Sequence, residues 1–183
     1  MAIQIGQKPS PTFQQPLELL SDCHRRIESF LRALILVAEQ AQGGALNAQQ
    51  REALKTALRY FREAAPKHTA DEEESLFPRM RELDSASVSG ALEKIKALEA
   101  DHEMASRGHE QVEQLGQKWL KENSLLPDEL AVLNETLNQL QQTYVRHIEI
   151  EDTEIFPLAA KILNGEQLAD VGRENGVTSR PEF

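Results

Sequence analysis

Two eleven-residue stretches of this chain, HTADEEESLFP at 68–78 and HIEIEDTEIFP at 147–157, align without a gap and share histidine, glutamate, phenylalanine and proline. Each holds a His-x-x-x-Glu pair, whose side chains stand one turn apart on one face of a helix. That face is otherwise apolar. Leu54, Leu58, Phe61 and Ala65 lead into His68 and Glu72, and Leu76 follows. Leu130, Leu133, Leu137, Leu140 and Tyr144 lead into His147 and Glu151, and Ile155 and Leu158 follow. Steps of three and four residues mark a helical face turned to a core. A polar pair in the middle of such a stripe is costly to bury unless something compensates it.

Two further stripes carry a similar interruption. One runs Leu17, Leu20, His24, Ile27, Leu31, Leu34, Ala38; the other runs Leu92, Ile95, Leu98, His102, Ala105, His109, Val112. His24 precedes His68 by 44 residues and His102 precedes His147 by 45, so the chain reads as two helical hairpins in one frame. Turn signals separate the four segments: Gly43-Gly44, a Ser-rich stretch around 83–90, and Asn123–Pro127, with Asn164-Gly165 closing the last. Pro78 and Pro157 are expected to break the helical pattern. Asn47 with Gln50 resembles a capping box, and Asn164 can cap a short final helix. Aromatic residues make up only 5 % of the chain, and good helix formers dominate. The expected fold is all-α: an up-down-up-down four-helix bundle over residues 16–163, a flexible arm at 1–15, and a short helix and tail at 164–183. With a rise of about 1.5 Å per residue and alternating directions, the four interrupting histidines reach one level of the bundle.

Metal cations would compensate two buried carboxylates, which otherwise cost many kcal/mol or become neutral. The six candidate ligands are His24, His68, Glu72, His102, His147 and Glu151. Nitrogen and oxygen donors suit iron, manganese or zinc, and the absence of thiolate disfavours a structural zinc site. Six are too many for one tetrahedral ion. If both carboxylates bridge two ions, each ion receives two histidines and two carboxylate oxygens, with positions left open for a small molecule. A set of hydrogen-bonded core polar groups is the plainer alternative, but it does not explain six inward polar residues at one level.

Neighbouring residues read differently. His109 lies about 10 Å along its helix from His102, which suits a buried, hydrogen-bonded histidine rather than a ligand. Tyr144 is one turn from His147 and needs a hydrogen-bond partner if buried. Glu28 falls off the ligand level, Cys23 points about 100° away from His24 and reads as an inert thiol, and Asp71, Glu73 and Glu74 read as a solvated face. The net charge of −10, from 20 basic and 30 acidic residues, argues against nucleic acid or an anionic membrane as partner. A single cysteine excludes an internal disulfide framework. The start, MAIQIGQKPSPTFQQP, lacks a basic stretch followed by an apolar run, and no apolar segment approaches the roughly 20 residues of a membrane span. A cytoplasmic setting is the expectation.

These residues resemble the hemerythrin-like HHE cation-binding domain over roughly 16–163, through His24, the 68–78 stretch, the DHE around His102, and the 147–157 stretch. The resemblance implies a four-helix bundle with a non-haem di-iron centre on the six residues named. It also implies a function among binding or reacting with oxygen, nitric oxide or peroxide, sensing iron and oxygen, and repairing damaged iron–sulfur centres. In the oxygen carriers a further histidine follows the third-helix ligand by four residues and the last helix offers an aspartate. Here those places hold Ser106 and Glu151. The pattern is closer to the four-histidine, two-glutamate branch of repair proteins and iron sensors, and speaks against reversible oxygen carriage. The expected function is therefore a di-iron protein that binds or senses O2, NO or iron. The alternative is an enzyme that reduces peroxide or NO, or repairs iron–sulfur centres. The alternative needs an electron donor, and no flavin, haem or cysteine-pair motif is visible. A ferritin-type site is disfavoured, because it uses Glu-x-x-His spacing.

Overall fold

The computed structural model describes residues 15–83 and 86–178. All but the last residue of the expected N-terminal arm, and the chain end at 180–183, lie outside the described residues. Helix α1 (Pro16–Ala41) starts on a proline, whose missing N–H would be unsatisfied there anyway. It stops where Gln42 turns left-handed at φ 49° and returns its N–H to Ala38; Gly43 follows at φ 72°. Helix α2 (Ala48–Glu63) opens on the Asn47/Gln50 box, with both reciprocal bonds made at 2.9 and 3.0 Å. The chain kinks at Ala64, before Pro66, and continues through α3 (Ala65–Ala70), a π-helical turn (Asp71–Leu76) and α4 (Phe77–Arg81). Then come α5 (Ala86–Glu122), α6 (Pro127–Ile150), a second π turn (Glu151–Ile155), α7 (Phe156–Ile162) and α8 (Gly165–Thr178). Helix α1 packs on α2 and α6, and α5 packs on the same two, which closes a four-sided bundle. Among the described residues no helix is long and apolar enough to cross a membrane.

Two expectations about breaks need correction. The Ser-rich stretch is not a turn as far as Gly90, because α5 is already helical from Ala86. Nor do Pro78 and Pro157 end their helices. A proline lacks an N–H and crowds the carbonyl four residues back. The chain answers with a π turn just before each one: Phe77 donates to the carbonyl of Glu72 and Phe156 to that of Glu151, five residues back. Each proline then sits in the first turn of the next α segment, where it is tolerated. The surplus residue also takes up about 100° of rotation. Residues five and eight after each glutamate thereby come to face the core: Phe77 and Met80 are fully buried, as is Ala159, and Phe156 nearly so. Leu76 and Ile155 are buried as expected, whereas Leu158 is only half-buried.

Two apolar layers result. The layer nearer the 42–47 and 123–126 links holds Ile27, Leu58, Phe61, Val112, Leu137 and Leu140 among others. The other, nearer α8, holds Leu20, Leu76, Phe77, Met80, Ile95, Leu98 and Phe156. Burial of each large side chain contributes about 1.5–3 kcal/mol. Trp119, outside the expected stripe, is 1 % exposed and donates its indole N–H to the carbonyl of Gly44 at 2.8 Å, tying α5 to the first link. At Gly116 a Cβ would stand 2.7 Å from Leu58, so the glycine lets α5 approach α2 closely. At the opposite end α8 adds Val171 to the apolar layer, and its Glu174 accepts hydrogen bonds from Ser75 and Arg79. Helix α8 therefore braces the first π turn.

Candidate metal centre

Between the two apolar layers lies a polar one. His24 stands between Leu20 and Ile27 on α1, and His102 between Leu98 and Ala105 on α5. His68 lies in the last turn of α3 and His147 in the last turn of α6, and Glu72 and Glu151 sit at the starts of the π turns. All six residues expected from the sequence meet at this level. Both glutamates are fully buried.

The contacts have a two-sided order. Glu72 Oε1 lies 3.4 Å from His68 Nε2 and 3.7 Å from His24 Nε2, while its Oε2 lies 3.4 Å from His102 Nε2. Glu151 Oε2 is 3.1 Å from both His147 Nε2 and His24 Nε2. The rings pair within hairpins: His24 with His68 at 4.9 Å between centroids, and His102 with His147 at 4.6 Å. Ligand atoms of His24, His68 and Glu72 lie within 4.8 Å of one another, and so do those of Glu72, His102, His147 and Glu151. Glu72 belongs to both groups, and Glu151 reaches from the second group to His24.

This donor set fits cations. Two ligand atoms each about 2.1 Å from one ion lie about 3.0–3.4 Å apart at tetrahedral to right angles, close to the separations seen. All four carboxylate oxygens of Glu72 and Glu151 are buried and find no hydrogen-bond partner among the described residues, and the same holds for His24 Nε2. A folded protein seldom leaves such groups unmatched. Burial opposes ionisation of Glu72, yet the imidazoles of His68, His102 and His24 outweigh it and hold the carboxyl well below its usual range. Burial also opposes a charge on His24, but Asp152, Glu151 and Glu72 push it up to about 12; His102 is pushed up to about 9 against burial by Glu72, Glu151 and Glu73. For His68 burial prevails, and it falls to about 4.

Around the six sits a shell that the sequence reading missed. His24 Nδ1 faces Asp152 Oδ1 at 3.1 Å, and His102 Nδ1 faces Glu73 Oε1 at 2.8 Å. Asp152 follows Glu151 as Glu73 follows Glu72, and each reaches the histidine of the other hairpin. Glu73 is half-buried and turned to His102, and Asp71 is buried; of that run Glu74 is exposed, as the solvated-face reading expects. The signal was available, since an acidic residue follows the glutamate in both repeats. Histidines that bind metal usually offer their second nitrogen to such a group, which fixes the tautomer. Symmetry fails at one place. Asp101, just before His102, stands 3.6 Å from His147 Nδ1, whereas Cys23 occupies the matching place before His24, and His68 Nδ1 has no hydrogen-bond partner among the described residues. Cys23 is buried, and burial pushes its thiol up, as an inert thiol requires. Glu28 is exposed. His109 stays outside the cluster; its Nε2 pairs with the Tyr144 hydroxyl at 2.8 Å, so the phenol's partner is His109 rather than His147.

The hemerythrin HHE cation-binding domain matches residues 15–159. An uncharacterized protein of Haemophilus influenzae (strain ATCC 51907 / DSM 11121 / KW20 / Rd) is 24 % identical over 162 residues, covering 88 % of each chain. No solved structure gives a significant match. With the family's domain spanning most of its length and a histidine–glutamate cluster at the level where a cation would sit, this chain belongs to the hemerythrin HHE cation-binding family.

Proposed function

We propose that the chain is a non-haem di-iron protein in which His24, His68, Glu72, His102, His147 and Glu151 hold two ions, and that it binds or senses O2, NO or iron there. The observation that carries this reading is the sharing of Glu72 between two groups of donors, with all four oxygens of the two glutamates unmatched. His24 and His68 would serve one ion and His102 and His147 the other, with Glu72 and Glu151 between them. Manganese or zinc could take the same donors. When bound, iron supplies a redox-active Lewis acid with positions open to a small diatomic ligand or peroxide. The protein's own part is orientation and exclusion of water. Asp152 and Glu73 fix two imidazoles with their Nε2 inward, and the apolar layers on either side keep the carboxylates from solvent. Ser106 is exposed on α5 and gives no fifth imidazole, which suits sensing or scavenging better than carriage. The test is elemental analysis and an optical spectrum of protein loaded anaerobically with ferrous iron, then exposed to oxygen and degassed. Two irons per chain with an irreversible spectral change support the reading. Full return on degassing would mean carriage, and absence of iron uptake would overturn the di-iron assignment.

A further inference from the structure

A shallow groove of about 450 Å³ runs along the outside of the bundle between α2 and α5. Its lining carries Arg51, Lys55, Arg59 and Arg62 of α2 and Lys121 of α5, and no carboxylate among the described residues. The α2 residues recur at steps of four, four and three, so they stand in one row on one face and span about 16 Å. Arg51 is half-buried and the other four are exposed. This concentration of positive charge is local. It leaves 15 basic against 30 acidic residues in the rest of the chain.

Ion pairing cancels little of that charge. Arg51 donates to the carbonyl of Leu120 at 2.6 Å and to Asn123 Oδ1 at 3.1 Å, two neutral acceptors that hold the guanidinium in place and leave its charge whole. Lys55 and Lys121 make no ion pair among the described residues. Arg62, at the end of the row, does pair, with Glu113 at 2.7 Å and Glu63 at 3.0 Å. Arg81, Arg146 and Lys96, away from the groove, each sit beside a carboxylate: Glu99 at 2.6 Å, Asp101 at 2.6 Å and Glu93 at 3.0 Å.

We propose that this groove docks a partner protein through a short run of Asp and Glu side chains. A chain with a net charge of −10 repels an acidic partner over most of its surface, so approach is favoured where the potential is reversed, and the row of cations sets the register. Neighbours in that row are about 6 Å apart along α2, a spacing that an acidic residue on each turn of a helix, or on alternate residues of an extended segment, comes close to matching. Duplex nucleic acid carries about one charge per 1.7 Å and continues past the strip at both ends, against the acidic remainder. A small anion reaches few of these exposed cations at once, and salt with a Debye length of about 8 Å screens it from the rest. Docking here goes beyond the metal reading and does not depend on it.

The test is fluorescence anisotropy of a labelled dodecaglutamate peptide, titrated with the purified full chain at about 50 and about 300 mM salt. One peptide should bind per chain, at least about tenfold more weakly at the higher salt. Lys55→Glu with Lys121→Glu should weaken binding at low salt by about tenfold or more, since each exposed pair contributes up to about fivefold and reversal adds repulsion. Lys96→Glu with Lys161→Glu makes the same change of charge away from the groove and should alter affinity by no more than about twofold. All four lysines are exposed, so both double variants should melt with the parent chain. A DNA duplex of about 24 base pairs should not bind, and inorganic tripolyphosphate should displace the peptide only at about a hundredfold excess. The proposal is overturned if the peptide does not bind at low salt, or if the two double variants lose affinity equally. Duplex binding as tight as the peptide's, or displacement by equimolar tripolyphosphate, overturns it too. So would dimers in sedimentation that Lys55→Glu with Lys121→Glu dissolves, since the occupant would then be a second copy of this chain.

Discussion

Asp152→Asn removes one charge and changes almost nothing in shape, so it asks how much the carboxylate behind an imidazole contributes to the centre. Asp152 Oδ1 accepts from Ser21 at 2.7 Å and faces His24 Nδ1 at 3.1 Å, with its side chain 35 % exposed. Loss of such an outer partner costs about 10–100-fold in metal affinity. Partial exposure screens the charge, which places the expected loss near the lower end, about tenfold or 1.4 kcal/mol. On the proposed two-ion reading, the loss should fall on the ion that His24 and His68 would hold. Glu73→Gln is its mirror: Glu73 faces His102 at 2.8 Å, is also 35 % exposed, and should weaken the ion held by His102 and His147. Stepwise zinc titration against a competing chelator resolves the two affinities without redox chemistry. Asp22→Asn, which alters a carboxylate paired with Arg25 and Arg26, is the control and should leave both affinities alone. An unchanged titration for Asp152→Asn, or equal loss at both ions from either single variant, would refute the assignment of outer partners.

Glu72→Ala should cost both ions, because Glu72 is the donor common to the two groups, while His109→Ala should leave metal content nearly full; elemental analysis separates the outcomes. Chelation should lower the melting temperature, since ions that bind only the folded state stabilise it by mass action, and an unchanged melting curve would count against a buried site. His109 is held at about 4 against an ordinary value of 6.5, so the unfolded chain binds the extra proton first as pH falls. Stability should therefore drop between about pH 6.5 and pH 4, by up to about 3 kcal/mol, relative to His109→Phe. Urea unfolding of chelator-treated protein at both ends of that window measures the difference, and parallel pH curves for the two proteins would refute it.

Much of the geometry was legible because apolar spacing fixes which residues share a helical face. The six inward residues stood out as polar members of apolar stripes, and the shared frame of the two hairpins put them at one level. The π turns were not legible, since a stripe of threes and fours assumes α geometry throughout. For that reason Leu158 was expected inside, where the structure buries Phe156 and Ala159 more deeply. Glu73 and Asp152 escaped notice because an acidic residue beside an acidic ligand reads as solvated until the opposite hairpin is in view. Trp119 escaped because its role depends on the carbonyl of Gly44, 75 residues away. The His109–Tyr144 bond joins positions 35 residues apart on different helices, and spacing along one helix cannot reveal it.

The π turns have a consequence for how the protein meets a cation. Each glutamate is anchored from one side only: Phe77 and Met80 lock the turn after Glu72, and Phe156 and Ala159 lock the turn after Glu151. Neither carboxylate can swing out to water without pulling a buried ring from the apolar layer beneath it. The cage is therefore preorganised, and an arriving cation finds donors already in place rather than having to fold them around itself. A cation then binds without the cost of ordering its ligands, so the packing beneath each glutamate tightens the hold on metal.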